Sequence, residues 1–82
     1  MNIAKYVLES IAKDIVSILI NGYGLDVSYA YSCLSNSGIL FELEQSPYKL
    51  MSTTYDDCLE YAAQINRRRE LMEGSLVKEL EY

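Results

Sequence analysis

A long segment near the start of the chain has the apolar periodicity of a helix, and it constrains the fold more than any other feature. Residues 3–20 read IAKYVLESIAKDIVSILI. On a helical wheel of about 100° per residue, the polar side chains gather on one side and the apolar ones cover about half of the circumference. An ordinary surface helix has an apolar stripe only a little over roughly 100° wide. The segment therefore predicts a helix with more apolar surface than a small domain needs to cover one face.

The wide apolar face has two interpretations, which are compatible with each other. In the first, this is a central helix that other helices of the same chain contact from two directions. In the second, part of the face docks onto another chain. Tyr6 and Ile20 fall on the polar side of the wheel, where a monomer gains little by having them, so both are candidate partner-contact residues.

The length and composition predict a single helical domain over residues 1–82. Half of the 82 residues are hydrophobic, which is enough for a packed core and argues against disorder. A single proline and four glycines leave long uninterrupted stretches, which favour helices.

Stop and start signals divide the first half of the chain. The first helix is predicted to end at Asn21–Gly22, where glycine can adopt the left-handed conformation. A second helix is predicted over Val27–Asn36, with Asp26 or Ser28 as its N-cap. Gly38 then predicts a helix stop.

The middle of the chain is expected to contain one short helix and one extended link. Residues 39–44 predict a helix of one or two turns, which ends before Pro47 because the residue preceding a proline avoids the helical region. Tyr48–Met51 is predicted to be extended.

A third main helix is predicted from Tyr55 to about Glu73. Thr53 and Thr54 are each followed three residues later by an aspartate, which resembles a capping box. Gly74 is expected to stop this helix, and Ser75–Tyr82 to add a last amphipathic turn. The predicted fold is thus all-α, with three main helices, one short helix and a short extended segment around residues 48–51.

The acidic composition excludes some classes of partner. The net charge is −5, whereas nucleic-acid binding needs lysine and arginine to neutralise phosphates. An acidic chain fits a cytoplasmic protein or one that meets a basic partner surface. The only basic run, Arg67–Arg69, is followed by Glu70 and Glu73, and is interpreted as a solvated helix end with an i,i+4 pair between Arg69 and Glu73.

The first helix is predicted to be neither a secretion signal nor a membrane span. Lys5, Glu9, Lys13 and Asp14 interrupt its apolar residues, and a span needs about 20 mostly apolar residues. We therefore expect a cytoplasmic protein that does not contact a membrane.

The residue type most common in catalytic and metal sites is missing from the chain. The chain has no histidine, which is the commonest general base and metal ligand. Cys33 and Cys58 are predicted to be buried free thiols, because both fall on apolar helix stripes and two cysteines without histidine do not make a zinc site. Asp56 and Asp57 are explained by helix capping. We predict no catalytic, cofactor-binding or metal-binding residue, and a protein that is not an enzyme.

Tyrosine is the most suggestive residue type. Eight of the nine aromatic residues are tyrosines. Tyrosine joins an apolar ring to a hydroxyl that needs water or a partner, and it is enriched in protein interfaces. Tyr6, Tyr29 and Tyr31 flank the apolar stripes of predicted helices, so with Ile20 they are the predicted partner-binding residues.

The stretch from Ser28 to Tyr61 resembles a family of small bacterial helical proteins of unknown function. The resemblance is carried by SYAYSCLSNSGILFEL and SPYKLMSTTYDDCLEY, with Gly38, Tyr48 and the apolar positions as the matching features. Some members are encoded beside toxin-like proteins, which implies an antitoxin-like or accessory role. The charged region from Arg67 onward lies outside the resemblance.

The leading functional hypothesis is a non-enzymatic protein that holds another, possibly toxin-like, protein through an apolar and tyrosine-rich helical face. A second hypothesis is a homo-oligomeric structural protein, in which the first helix pairs with that of a second copy as a homodimer. A third is an acidic inhibitor that imitates nucleic acid.

Overall fold

The chain folds into consecutive helices packed around its first helix. A computed structural model describes residues 2–80, and their side chains as far as residue 73. The helices are α1 (Ile3–Tyr23), α2 (Val27–Ser37), α3 (Ile39–Gln45), α4 (Pro47–Ser52) and α5 (Tyr55–Leu80). The predicted all-α class is confirmed.

Helix α1 occupies the centre of the bundle and contacts each of the other four helices. Its buried residues are Ile11, Ile15, Val16, Ile18 and Leu19. Four surrounding helices account for the unusually wide apolar face, so the central-helix interpretation is confirmed for this part of α1. The first turns of the helix differ, because Ile3 is 62% exposed and Tyr6 is 70% exposed.

Helix α1 extends beyond its predicted end at Asn21–Gly22. The left-handed residue is Gly24, with a φ of 72°, and its N–H donates to the carbonyl of Ile20 at 3.1 Å. The later turn places Leu25 in the core, where it is only 8% exposed and donates its N–H to the carbonyl of Leu19. Burial of Leu25 therefore selects the second of the two glycines as the helix stop.

The junction between α2 and α3 follows the predicted signals. Asp26 is the N-cap of α2, and its Oδ2 accepts a hydrogen bond from the N–H of Ser28 at 3.1 Å. Helix α2 ends one residue later than predicted, at Ser37, and Gly38 has a φ of 77°. Helix α3 begins directly at Ile39, whose side chain is buried.

The prediction that residues 48–51 are extended is wrong, because they lie in α4. The restriction imposed by Pro47 falls on Ser46, which has non-helical angles (φ −131°, ψ 88°). Pro47 itself is the first helical residue, where its fixed φ suits a helix and its missing N–H costs nothing. Leu50 is 3% exposed and anchors this short helix to the core.

Helix α5 begins as predicted but does not stop at Gly74. Thr54 and Asp57 form a reciprocal capping box: the Thr54 N–H donates to Asp57 Oδ2 at 2.9 Å, and the Asp57 N–H donates to Thr54 Oγ1 at 3.2 Å. The helix continues through Gly74 to Leu80, since an interior glycine costs a helix only about 1 kcal/mol relative to alanine. The predicted final turn over Ser75–Tyr82 thus belongs to α5 as far as Leu80, and residues 81–82 lie outside the described part.

The apolar residues of α5 are only partly buried. Ala62 and Ile65 are buried, whereas Leu59 is 42% exposed and Met72 is 63% exposed. Both cysteines are free thiols, as predicted, but only Cys58 is buried. Cys33 is half-buried, because it lies on the side of α2 that borders a groove.

Candidate protein-binding site

The four predicted partner-binding residues have different environments. Tyr6, Tyr29 and Tyr31 are 70%, 42% and 46% exposed. Ile20 is half-buried and packs against the hydrophobic core. The helices that surround the end of α1 therefore cover part of Ile20, although the helical wheel puts this residue on the polar side of α1.

These residues do not form one continuous surface. Tyr6 lies in the first turns of α1, and Ile20 lies almost four turns further along, a distance of about 20 Å. Tyr29 and Tyr31 share α2, where they flank the buried Ala30 from opposite sides. Helix α2 is therefore the element that carries two of the predicted residues close together.

The outer side of α2 has small residues between its two tyrosines. Ser28, Ser32 and Ser35 are exposed and lie between Tyr29 and Tyr31 around the helix. We call these three residues the serine ridge. Because serine is short, another protein surface can approach the backbone of α2 there and still touch both rings.

Val27 enlarges the apolar surface on one side of the serine ridge. It is 54% exposed and lies one turn before Tyr31, a spacing that puts side chains on the same strip of a helix. The buried side of α2, with Ala30 and Leu34, already fills its place in the core. About half of the surface of Val27 and of Tyr31 thus remains in contact with water.

A groove of about 460 Å³ lies on the other side of the serine ridge, between α2 and α5. It is lined by Tyr29, Ser32, Cys33, Asn36, Ser37, Ile65, Arg68, Arg69, Met72 and Glu73. We call it the α2–α5 groove. It forms because α2 faces α5 there with mostly small side chains, which do not fill the space between the two helices.

A hydrogen-bonded network forms one end of the α2–α5 groove. The Tyr29 hydroxyl donates to Glu73 Oε1 at 2.9 Å. The other carboxylate oxygen of Glu73 accepts from Arg69 Nη1, also at 2.9 Å. Both oxygens of Glu73 are therefore occupied, and the predicted i,i+4 pair between Arg69 and Glu73 is confirmed.

Asn66 completes this network below the surface. It is 8% exposed, and its Oδ1 accepts from Nη2 and Nε of Arg69 at 2.8 and 3.2 Å. Its Nδ2 donates to Glu70 Oε1 at 3.2 Å. Asn66 was not predicted from the sequence. It precedes Arg69 by three residues and Glu70 by four, and this spacing indicates contact on the surface of a helix.

The network changes the proton affinities of its members. The hydrogen bond from Tyr29, followed by that from Arg69, lowers the pKa of Glu73 despite some burial of the carboxyl. The same bond to Glu73 is the main reason that the pKa of Tyr29 is raised. For Arg69, burial lowers the pKa, but the interactions with Glu73 and Tyr29 outweigh it and raise the pKa overall. Both shifts favour the charged forms, the carboxylate of Glu73 and the guanidinium of Arg69.

No family model, no curated protein and no solved structure matches the chain. Within the part of the chain that the structure describes, no group of three or more potential metal ligands comes together. None of the helices, as far as they are described, is long and apolar enough to cross a membrane.

Proposed function

We propose that the protein is a non-enzymatic binding module that holds a partner protein against α2. The observation that carries this proposal is the arrangement of Tyr29 and Tyr31 on the two sides of the exposed serine ridge. A partner surface seated on the ridge contacts both rings at once, with Val27 extending the contact on the Tyr31 side.

The tyrosines suit this role for energetic reasons. A tyrosine ring contributes a large apolar area and loses little conformational entropy on binding, because it has only two rotatable bonds. In protein interfaces, only a minority of residues lower the binding free energy by more than about 1 kcal/mol when they are truncated to alanine. Tyrosine, tryptophan and arginine are enriched among them. Tyr31 is therefore the residue whose loss we expect to weaken binding most without affecting the core.

An antitoxin-like or accessory role is the specific form that we propose for this binding. Its support is the resemblance of Ser28–Tyr61 to bacterial proteins of which some are encoded beside toxin-like proteins. The segment that carries the resemblance includes all of α2 from its second residue onward. The proposed partner in this form is a toxin-like protein made in the same cell.

The experiment is site-specific photocrosslinking in the cells that produce the protein. A photoreactive phenylalanine analogue replaces Tyr31 in one variant and Tyr48 in the matched control. Tyr48 is also an exposed tyrosine, 86% exposed, but it lies on α4. We expect one adduct of defined mass from position 31, identified by mass spectrometry of its peptides, and none from position 48.

The identity of the crosslinked protein also distinguishes the proposed function from the alternative, a homo-oligomeric structural protein. A crosslink from position 31 to a second copy of this chain would support a homo-oligomeric structural protein instead. Equal adducts from both positions, or none from position 31, would contradict binding through α2.

A further inference from the structure

The α2–α5 groove contains an arginine, Arg68, that the described part of the fold does not use. Arg68 lines the groove, and it makes no ion pair among the residues whose side chains are described. Glu73, the only carboxylate among the lining side chains that the structure describes, already accepts hydrogen bonds on both oxygens. Among its described side chains, the groove therefore has one positive charge available to a ligand and no negative charge available.

The walls beside this cation are largely apolar. Ile65 is buried at the side of α5, and Cys33 is half-buried at the side of α2. Tyr29 and Met72 border the groove with 42% and 63% of their surface exposed. An apolar side chain placed between them would cover surface that is now in contact with water, which favours binding.

We propose that the α2–α5 groove binds a segment of the partner protein that carries a carboxylate close to a large apolar side chain. The apolar side chain inserts between Tyr29 and Met72, and the carboxylate pairs with the guanidinium of Arg68. The proposal rests on the proposed function, since the segment belongs to the protein that is held against α2. It specifies which chemical groups of the partner make the contact, which the surface of α2 alone does not.

The size and shape of the groove fit a side chain of a larger molecule. Its volume of about 460 Å³ is enough for a large apolar side chain and a neighbouring carboxylate. Tyr29 and Met72 at its borders are exposed, so the groove is open to solvent rather than enclosed. A protein segment suits an open groove, whereas small molecules are held in pockets that enclose most of their surface.

Charge complementarity selects a carboxylate over nucleic acid. Binding to a nucleic-acid backbone requires several cations that neutralise successive phosphates. Of the two arginines in the described lining, Arg69 is already paired with Glu73, so Arg68 is the one that remains for a ligand. One arginine suits one carboxylate, with which its planar guanidinium can form two parallel hydrogen bonds.

The first step of the test is selection of binders from a phage-displayed library of random short peptides on the complete wild-type protein. We expect enrichment of peptides that have aspartate or glutamate within one helical turn of leucine, isoleucine, methionine, phenylalanine or tryptophan. Selection without acidic enrichment, or without any binder, would overturn the proposal.

The second step measures the affinity of the best selected peptide for two charge-matched variants. Arg68→Glu should weaken binding about tenfold or more, because it replaces a charge-assisted hydrogen bond with repulsion. Arg67→Glu changes the net charge identically, but Arg67 is exposed and does not line the groove. We expect its effect to be less than about twofold, and equal losses in both variants would overturn the proposal.

The third step locates the bound peptide by the reactivity of Cys33. A peptide in the groove should slow alkylation of Cys33 by iodoacetamide, and Arg68→Glu should abolish this protection at the same peptide concentration. A peptide whose affinity depends on Tyr31 but not on Arg68, with Cys33 unprotected, would overturn the groove assignment and leave the proposed function in place. Failure of the proposed function would instead appear in the crosslinking from position 31.

Discussion

The hydroxyl of Tyr29 donates a 2.9 Å hydrogen bond to the carboxylate of Glu73, which lies 44 residues later in the chain. This bond joins the first turn of α2 to the C-terminal half of α5. It holds the two walls of the α2–α5 groove at one end, and it fixes one of the two tyrosines that border the serine ridge. The binding surface that we propose therefore depends on a contact between distant parts of the sequence.

The first prediction concerns the pKa of Glu73. The hydrogen bonds from Tyr29 and Arg69 lower it, so the carboxylate stabilises the fold above the ordinary pKa of glutamate. This stabilisation is lost as the pH falls through the lowered value in the folded protein. We expect Tyr29→Phe to raise the pKa of Glu73 towards its ordinary value, as measured by NMR titration of the side-chain carboxyl. An unchanged pKa in Tyr29→Phe would show that this bond does not control Glu73 in solution.

The second prediction is a difference in reactivity between the two thiols. Burial raises the pKa of Cys58, and the nearby carboxylates of Asp14 and Asp57 raise it further, so little of the reactive thiolate forms at neutral pH. Cys33 is half-buried at the groove. Iodoacetamide should therefore modify Cys33 first, and Cys58 only under unfolding conditions, as followed by mass spectrometry of the peptides. Faster labelling of Cys58 would contradict the packing of α5 against α1.

The third prediction contrasts two glycines near the end of α1. Gly22 lies inside the helix, and an added Cβ would meet Ile18 Cγ2 at an ordinary 3.8 Å. Gly22→Ala should therefore raise the free energy of unfolding by about 0.5–1 kcal/mol. Gly24 has a φ of 72° with open space around it, so Gly24→Ala should lower the free energy of unfolding by about 1–2 kcal/mol through backbone strain alone. Urea unfolding of both variants checks the pair, and the opposite order would place the helix end at Gly22.

The fourth prediction tests the serine ridge as a site of close approach. Ser35 is exposed and does not line the α2–α5 groove. Ser35→Arg should weaken partner binding at least about tenfold, because its long side chain separates the partner from α2, while Ser35→Ala should have little effect. Binding to the partner identified by crosslinking is measured by titration calorimetry. Equal binding by Ser35→Arg and the wild type would show that the partner does not approach the ridge.

The local signals in the sequence predicted most of the secondary structure. The N-cap at Asp26, the stop at Gly38 and the capping box of Thr54 depend on neighbours within a few residues, and the structure confirms them. Two of the errors arose where tertiary packing overrode the local signals. Burial of Leu25 selected Gly24 over Gly22, and burial of Leu50 stabilised a helix after Pro47.

Less of the candidate site than of the secondary structure could be predicted from the sequence. Helical periodicity placed Tyr29 and Tyr31 beside the buried stripe of α2, but the bond from Tyr29 to Glu73 depends on how α2 and α5 meet. The same holds for Ile20, which has a polar-side position on the wheel but packs against the core. Because of that packing, Ile20→Glu is expected to destabilise the fold, and it is unsuitable as a test of binding.

The most direct measurement is the affinity of the crosslinked partner for Tyr31→Ala, beside Tyr48→Ala as the matched exposed tyrosine. Tyr31→Ala should raise the Kd about tenfold or more, with an unchanged far-UV circular dichroism spectrum and unfolding midpoint, and Tyr48→Ala should change the Kd less than about twofold. Equal Kd values for the wild type and Tyr31→Ala would contradict binding through α2.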